Sequence, residues 1–204
     1  VVEGVAGHGS MPDSCVDPIT AAAHIHIGLQ EILAREISPM SELVITCGAF
    51  NAGDAGNAIP QSATMQGTIR VFDKKTEELA KKRITEIASG IAQTYRCAAT
   101  TTFGRPSPAV FNDKEFMEQC VEYAKQTLPQ AQLYGGAHGM GSEDFGSISQ
   151  ACTANYMMIG AAAGPLNECY GQHNPHVRFD ENALPMSSAL YASVAMNWLS
   201  DNAK

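Results

Sequence analysis

"ATMQGTIRV", residues 63–71, sets apolar and polar residues in alternation. Ala63, Met65, Gly67, Ile69 and Val71 share one face and Thr64, Gln66, Thr68 and Arg70 the other, the period of a strand with one buried side. Arg70 is thereby predicted to point away from the core. Upstream, Leu43–Phe50 is an apolar, β-branched run, joined to this strand through the turn-rich loop Asn51–Asn57. Downstream, Ala80, Ile84, Ile87, Ile91 and Tyr95 form one stripe of a helix over 76–95, and Cys97–Phe103 reads as another strand. Before Leu43, Asp17-Pro18 is a capped helix start. Ala22, Ile25, Leu29 and Ile32 stripe a helix over 18–36, and Pro39 closes it. Val1–Val5 reads as strand. The order is strand, helix, strand, strand, helix, strand, the split βαβ arrangement of ferredoxin-like domains, placed at residues 1–106 and ending at Pro106-Ser107-Pro108.

Residues 107–204 change character. Asp113 caps a helix to about 128, residues 131–134 read as a short strand, Ser142 opens a short helix and Tyr156–Ile159 is an apolar strand. Gly135–Gly141 and Gly160–Gly171 are glycine-rich loops, and a last helix over 184–199 carries Leu184, Ala189, Leu190, Val194 and Leu199 with the lone Trp198. Two short strands do not make a sheet with both faces covered, so this portion reads as part of a larger α/β domain.

Composition bounds the function. The 204 residues are 45% hydrophobic and carry a formal net charge of −8, with Lys and Arg scattered. That suits a folded, soluble protein and gives no electrostatic footprint for nucleic acid. No apolar run nears the roughly 20 residues that cross a bilayer, so no membrane association is expected. Six cysteines spread evenly without a CxxC pair read as reduced thiols of a cytoplasmic protein. The chain starts at Val1 with a strand already under way, which reads as a fragment or a processed chain.

Several residues are candidates for chemistry. In "GHGSMP", residues 7–12, glycine on both sides of His8 permits unusual backbone angles and close approach, so the ring projects from a strand end; taken alone, a structural turn explains it better. Asn57 either donates to a substrate carboxyl or ties its own loop, and Arg70 is equally a fork for a carboxylate or a surface arginine. "MGSEDF", residues 140–145, reads first as a helix start with Glu143 and Asp144 at the positive end of the dipole, and second as a substrate-facing segment. His173 and His176 stand in a Gly/Pro loop, where a metal needs three or four ligands and spacing alone shows no matching cluster. His24 and His26 are two apart on a helix and read as structural. GxSxG, GxGxxG and phosphate-loop patterns are missing, so nucleophilic and nucleotide chemistries have no support.

Taken in order, "GHGSMP" followed by "DP" and an Ala-rich helix, "NAIP", "GTIRVFD", "MGSEDF" and "HNPHVRFDENALP" resemble the motifs of the M20 metallopeptidase family over nearly the whole chain. The nearest branch is that of aminoacylase, hippurate hydrolase and the hydrolases of indole-acetyl amino acids. Ala6 departs from it, standing where many relatives have glycine.

The resemblance implies a ferredoxin-like lid and dimerisation domain, 1–106, followed by the C-terminal part of an α/β zinc-peptidase-like catalytic domain, 107–204. It further implies a homodimer formed through the lid and two divalent metal ions in the intact enzyme, Zn, Mn, Co or Ni. His173 matches the last metal ligand. His8 matches the lid histidine that stabilises the oxyanion in a catalytic site, that of the partner subunit in dimeric members. Asn57 and Arg70 match positions holding the substrate carboxylate, and Glu143 matches a motif lining the catalytic side. The implied reaction is amide hydrolysis of N-acyl amino acids, by an enzyme of which this chain is a fragment inactive on its own. The alternatives are a carboxypeptidase or dipeptidase acting on small peptides, and a non-catalytic dimerisation or regulatory module.

Overall fold

Aspartates start three of the four long helices among the described residues. Asp17 accepts the Ile19 N–H at 2.8 Å, Asp73 that of Thr76 at 2.8 Å and Asp113 that of Phe116 at 2.9 Å, each satisfying a helix-start amide that has no partner within its helix. The computed structural model describes residues 1–136 and 139–203, so two positions of the predicted 135–141 loop lie outside the described residues. By contacts the chain divides into two units. One is Val1–Ala109 with Gly139–Ser142, the other the described part of Val110–His138 and Glu143–Lys204.

The first unit contains β1 (Val2–Glu3), β2 (Gly7–His8), α1 (Pro18–Gly28), β3 (Leu43–Ala52), β4 (Ala58–Ile59), β5 (Ser62–Val71), α2 (Lys74–Thr94) and β6 (Ala98–Ala99). Its main sheet has the order β3-β5-β1-β6, antiparallel throughout, the topology that the split βαβ order predicts. The alternating stretch is β5, whose register runs Leu43↔Val71 to Ala52↔Ala63 along β3, with one shift between Cys47 and Ala49. Gly48 is the extra residue there, a β-bulge that turns Phe50 back onto the face shared with Met65.

Ile25, Ala21 and Ala22 of α1 and Ala88 and Ala92 of α2 pack with Val2, Ala63 and Cys97 to form the core. Gly28 marks where the helices meet, since a Cβ there lies 2.6 Å from Ile91 Cδ1. The helix predicted over 18–36 is realised as α1, Pro18–Gly28, a one-residue interruption at Leu29, and helical backbone that ends in a π-helical turn, Ile32–Glu36. Burial pushes the Cys97 thiol pKa up, with the Asp17 charge adding to it.

The second unit contains α3 (Lys114–Thr127), α4 (Gly146–Ala151) and α5 (Ala183–Asp201). Helices α3 and α5 pack through Phe116 and Trp198, edge to face at 6.1 Å, and through Tyr123, whose hydroxyl donates to Asp201 at 2.7 Å. Residues 131–134 and 156–159 are not strands; a strand is defined by its neighbour, and neither segment has one among the described residues. The short helix starts at Gly146 rather than Ser142; the residues before it form a turn in which the Gly146 N–H donates to the Glu143 carbonyl at 3.3 Å and the Ser147 N–H to that of Asp144 at 3.0 Å. The predicted α5 stripe is also shifted: Ala183 and Leu190 are buried while Leu184 and Leu199 are exposed. Among the described residues no helix is long and apolar enough to cross a membrane.

Candidate functional site

His8 is set by a two-stranded ribbon rather than by the main sheet. Strand β2 pairs with β4 in the register Gly7↔Ile59 and His8↔Ala58, and the Gly9 N–H donates to the Asn57 carbonyl at 2.9 Å. The ribbon therefore brings His8 and Asn57 together. Gln61 holds its base, donating to the Gly4 carbonyl at 2.8 Å and accepting from the Ala6 N–H at 3.4 Å.

The glycines around His8 serve close approach alone. Neither has a positive φ, so the expected unusual angles are not used. A Cβ on Gly7 meets Cys15 Sγ at 2.4 Å, and one on Gly9 meets the Asn57 carbonyl oxygen at 3.0 Å. After His8 the chain turns sharply, with the Met11 N–H donating to the His8 carbonyl at 2.8 Å. Ser10, within that turn, donates its backbone N–H to His8 Nδ1 at 3.1 Å and places its hydroxyl 2.8 Å from the same atom. The rest of the imidazole is exposed.

Arg70 lies elsewhere. Asn57 belongs to the connection between β3 and β5, whereas Arg70 pairs with Val44 near the opposite end of that ladder. Eight residues separate Ser62 from Arg70, about 27 Å of strand. Within one chain the two side chains do not converge on one carboxylate.

Glu143 and His173 belong to the second unit. Glu143 Oε2 accepts the Tyr156 hydroxyl at 3.0 Å, while Asn112 clamps the Tyr156 backbone with bonds of 2.7 and 3.0 Å. The Glu143 carboxyl pKa is lowered, first by a hydrogen bond with Asp144, then by the Phe145 amide and the Tyr156 hydroxyl; the Tyr156 phenol is raised in return. His173 is exposed and left-handed, with φ 68°, in a turn where the Asn174 N–H donates to the Gly171 carbonyl at 3.3 Å. Histidine is one of the few side chains found there with any frequency.

No metal centre is complete among the described residues. Among the described residues no group of three or more His, Cys, Asp and Glu side chains is placed to hold an ion, and a structural or catalytic zinc takes three or four protein ligands. An open depression of about 620 Å³, lined by Ala162, Ala163, Gly164, Phe179, Asp180 and Glu181, includes none of the residues named from the sequence.

Ser10 and Tyr156 are the contributors that sequence reasoning missed. The signal for Ser10 is its place two residues after a histidine in a tight turn, where a backbone N–H folds back onto a side chain. Tyr156 was hidden by its apolar neighbours, which made the segment read as strand.

Residues 1–96 match the peptidase dimerisation domain of the M20 group. The chain is 32% identical over 207 residues to the IAA-amino acid hydrolase ILR1-like 2 of Arabidopsis thaliana, covering 100% of this chain and 46% of that protein. It is 32% identical to the hippurate hydrolase of Campylobacter jejuni, covering 97% of this chain and 51% of the relative. The crystal structure of the Bacillus subtilis YXEP protein, a dinuclear metal-binding peptidase, superposes with a TM-score of 0.73 at 28% identity, covering 98% of this chain and 49% of that one. The chain thus spans about half the length of the relatives it matches.

Proposed function

We propose, from the premise that this chain belongs to the M20 family, that its whole protein hydrolyses the amide bond of N-acyl amino acids in a metal-dependent reaction in the cytoplasm. The observation that carries the reading is the β2–β4 ribbon, which projects an exposed imidazole beside Asn57. A donor held there suits an oxygen on which negative charge develops as a carbonyl is attacked.

The two-metal centre, of Zn, Mn, Co or Ni, is placed largely on the length of the relatives that this chain does not cover, with His173 as the ligand offered from here. The chain alone is therefore inactive. Asn57 and Arg70 recognise the substrate carboxylate, Arg70 as a two-pronged donor. Because Asn57 lies in the connection at one end of the β3–β5 ladder and Arg70 near its other end, one carboxylate is reached by both only when two lids contribute, which favours a homodimer. Glu143, steadied by Tyr156, lines the catalytic side.

The test uses the full-length protein supplied with each metal and a panel of N-acetyl and N-benzoyl amino acids. His8→Ala is expected to lower kcat about 10²–10³-fold, the loss typical of one oxyanion donor, with KM little changed. Unchanged kcat rejects the role of His8. Preference for dipeptides over acyl amino acids rejects the substrate class.

A further inference from the structure

Of the two nitrogens of the His8 imidazole, Nδ1 is the one with a hydrogen-bond partner among the described residues. Nδ1 receives the Ser10 backbone N–H at 3.1 Å, with the Ser10 hydroxyl 2.8 Å away. A backbone N–H has only a proton to give, so Nδ1 acts as the acceptor and carries no proton while that bond stands. In a neutral imidazole one nitrogen is donor and the other acceptor, which leaves the proton on Nε2.

We propose that Ser10 is a positioning residue that fixes His8 as the Nε2–H tautomer, so that His8 presents a hydrogen-bond donor, and not a general base, to whatever faces it. The consequence for catalysis rests on the reading of His8 as an oxyanion donor; the tautomer itself rests on the turn. That turn is held independently of the ring. Met11 closes it on the His8 carbonyl, Gly9 is tied to Asn57, and β2 is paired to β4. Cys15 and the Asn57 carbonyl crowd Gly7 and Gly9, so the strand has little room to shift the ring away from the Ser10 amide. With Nε2 protonated, the exposed edge of the ring has no lone pair with which to take a proton from water or substrate.

Nitrogen-15 NMR of the 204-residue chain reads this directly, with His8→Gln identifying the His8 signals. At a pH where the ring is neutral, Nδ1 is expected at the unprotonated end of the range and Nε2 at the protonated end, with a coupling between the Ser10 amide and Nδ1. Ser10→Ala keeps the amide and retains the pattern. Replacing that amide by an ester oxygen in the Ser10→Ala background, through a synthetic segment 1–14 joined at Cys15, removes both donors and moves the two nitrogens toward a shared average. A proton on Nδ1 in the unaltered chain, or a pattern untouched by the ester, overturns the proposal. Full activity of His8→Ala in the whole enzyme with the NMR pattern intact rejects the donor reading alone, so the two failures are distinguishable.

Discussion

The two units bury their apolar residues in different ways. In the first, both helices carry their apolar side to the core of a four-stranded sheet, and α2 turns Lys74, Glu78, Lys82 and Glu86 to solvent. In the second, α5 has no charged side chain from Ala183 to Ser200. Ala183 and Leu190 are buried, while Leu184, Met196 and Leu199 are exposed. A helix apolar on all sides belongs in an interior with cover all round. Met157, Met158 and Ile159 are exposed as well. Both units leave large apolar side chains exposed, but the first has a buried cluster joining two helices to a sheet, whereas the second leaves most of the uncharged stretch of α5 exposed.

The largest expected effect separates the two cores. Ile25 is 1% exposed and touches both helices and the sheet, so Ile25→Ala is expected to cost about 2–5 kcal/mol. Leu190, 7% exposed, lies on a helix whose Leu184, Met196 and Leu199 are exposed, and Leu190→Ala is expected to cost clearly less. Urea denaturation of both variants measures it. Equal losses break the comparison.

A smaller effect is pH dependence, with opposite signs for one ion pair of the first unit and one phenol of the second. Arg83 donates through Nε and Nη2 to Glu36, at 2.5 and 2.8 Å, joining α2 to the π-helical turn. Those hydrogen bonds hold the Glu36 carboxyl below its ordinary pKa. Its stabilisation is therefore present above the ordinary carboxylate value and is lost as pH falls through the lowered folded value. In the second unit the Tyr123 phenol is raised, first by its hydrogen bond to Asp201. That contribution is present below the ordinary tyrosine value and is lost as pH rises through the raised one. Glu36→Gln should flatten the acid side of a stability profile and Tyr123→Phe the alkaline side. A profile in which both variants act on the same side contradicts the assignment.

What was legible in the sequence follows the same division. The β5 alternation and the α1 stripe were readable because their partners lie within the chain; Ala22, Ile25 and Ile32 are all buried. The α2 seam was readable in part: Ala80 is buried, Ile91 and Tyr95 pack against the core and Gly28 makes room for Ile87 and Ile91, while Ala88 and Ala92, off the predicted stripe, are buried as well. The strands expected at 131–134 and 156–159 were not realised, because a strand needs a neighbour and none pairs with them among the described residues. In the candidate site, His8 and Asn57 were named from motifs and are joined by the ribbon. The separation of Arg70 from Asn57 was hidden, because thirteen positions of sequence do not show that a ladder lies between them. The Ser10 contact was hidden too, as a backbone amide leaves no mark on residue type.

The smallest expected effect is the most direct test of α5 as a helix meant for cover. Leu199 is 62% exposed, so in the 204-residue chain Leu199→Ser removes little buried surface and should change stability by no more than about 0.5 kcal/mol. Binding of a hydrophobic dye should fall with it, since the residue contributes to an exposed apolar patch. In the full-length protein the same face is expected to be buried, and the same substitution should then cost about 2–5 kcal/mol, as for other buried leucines cut back to a small side chain. A large loss already in the 204-residue chain means that Leu199 is packed here and α5 needs no further partner. A negligible loss in both contexts means that the outer face of α5 faces water in the whole protein, and the contrast between the two units is then one of composition alone.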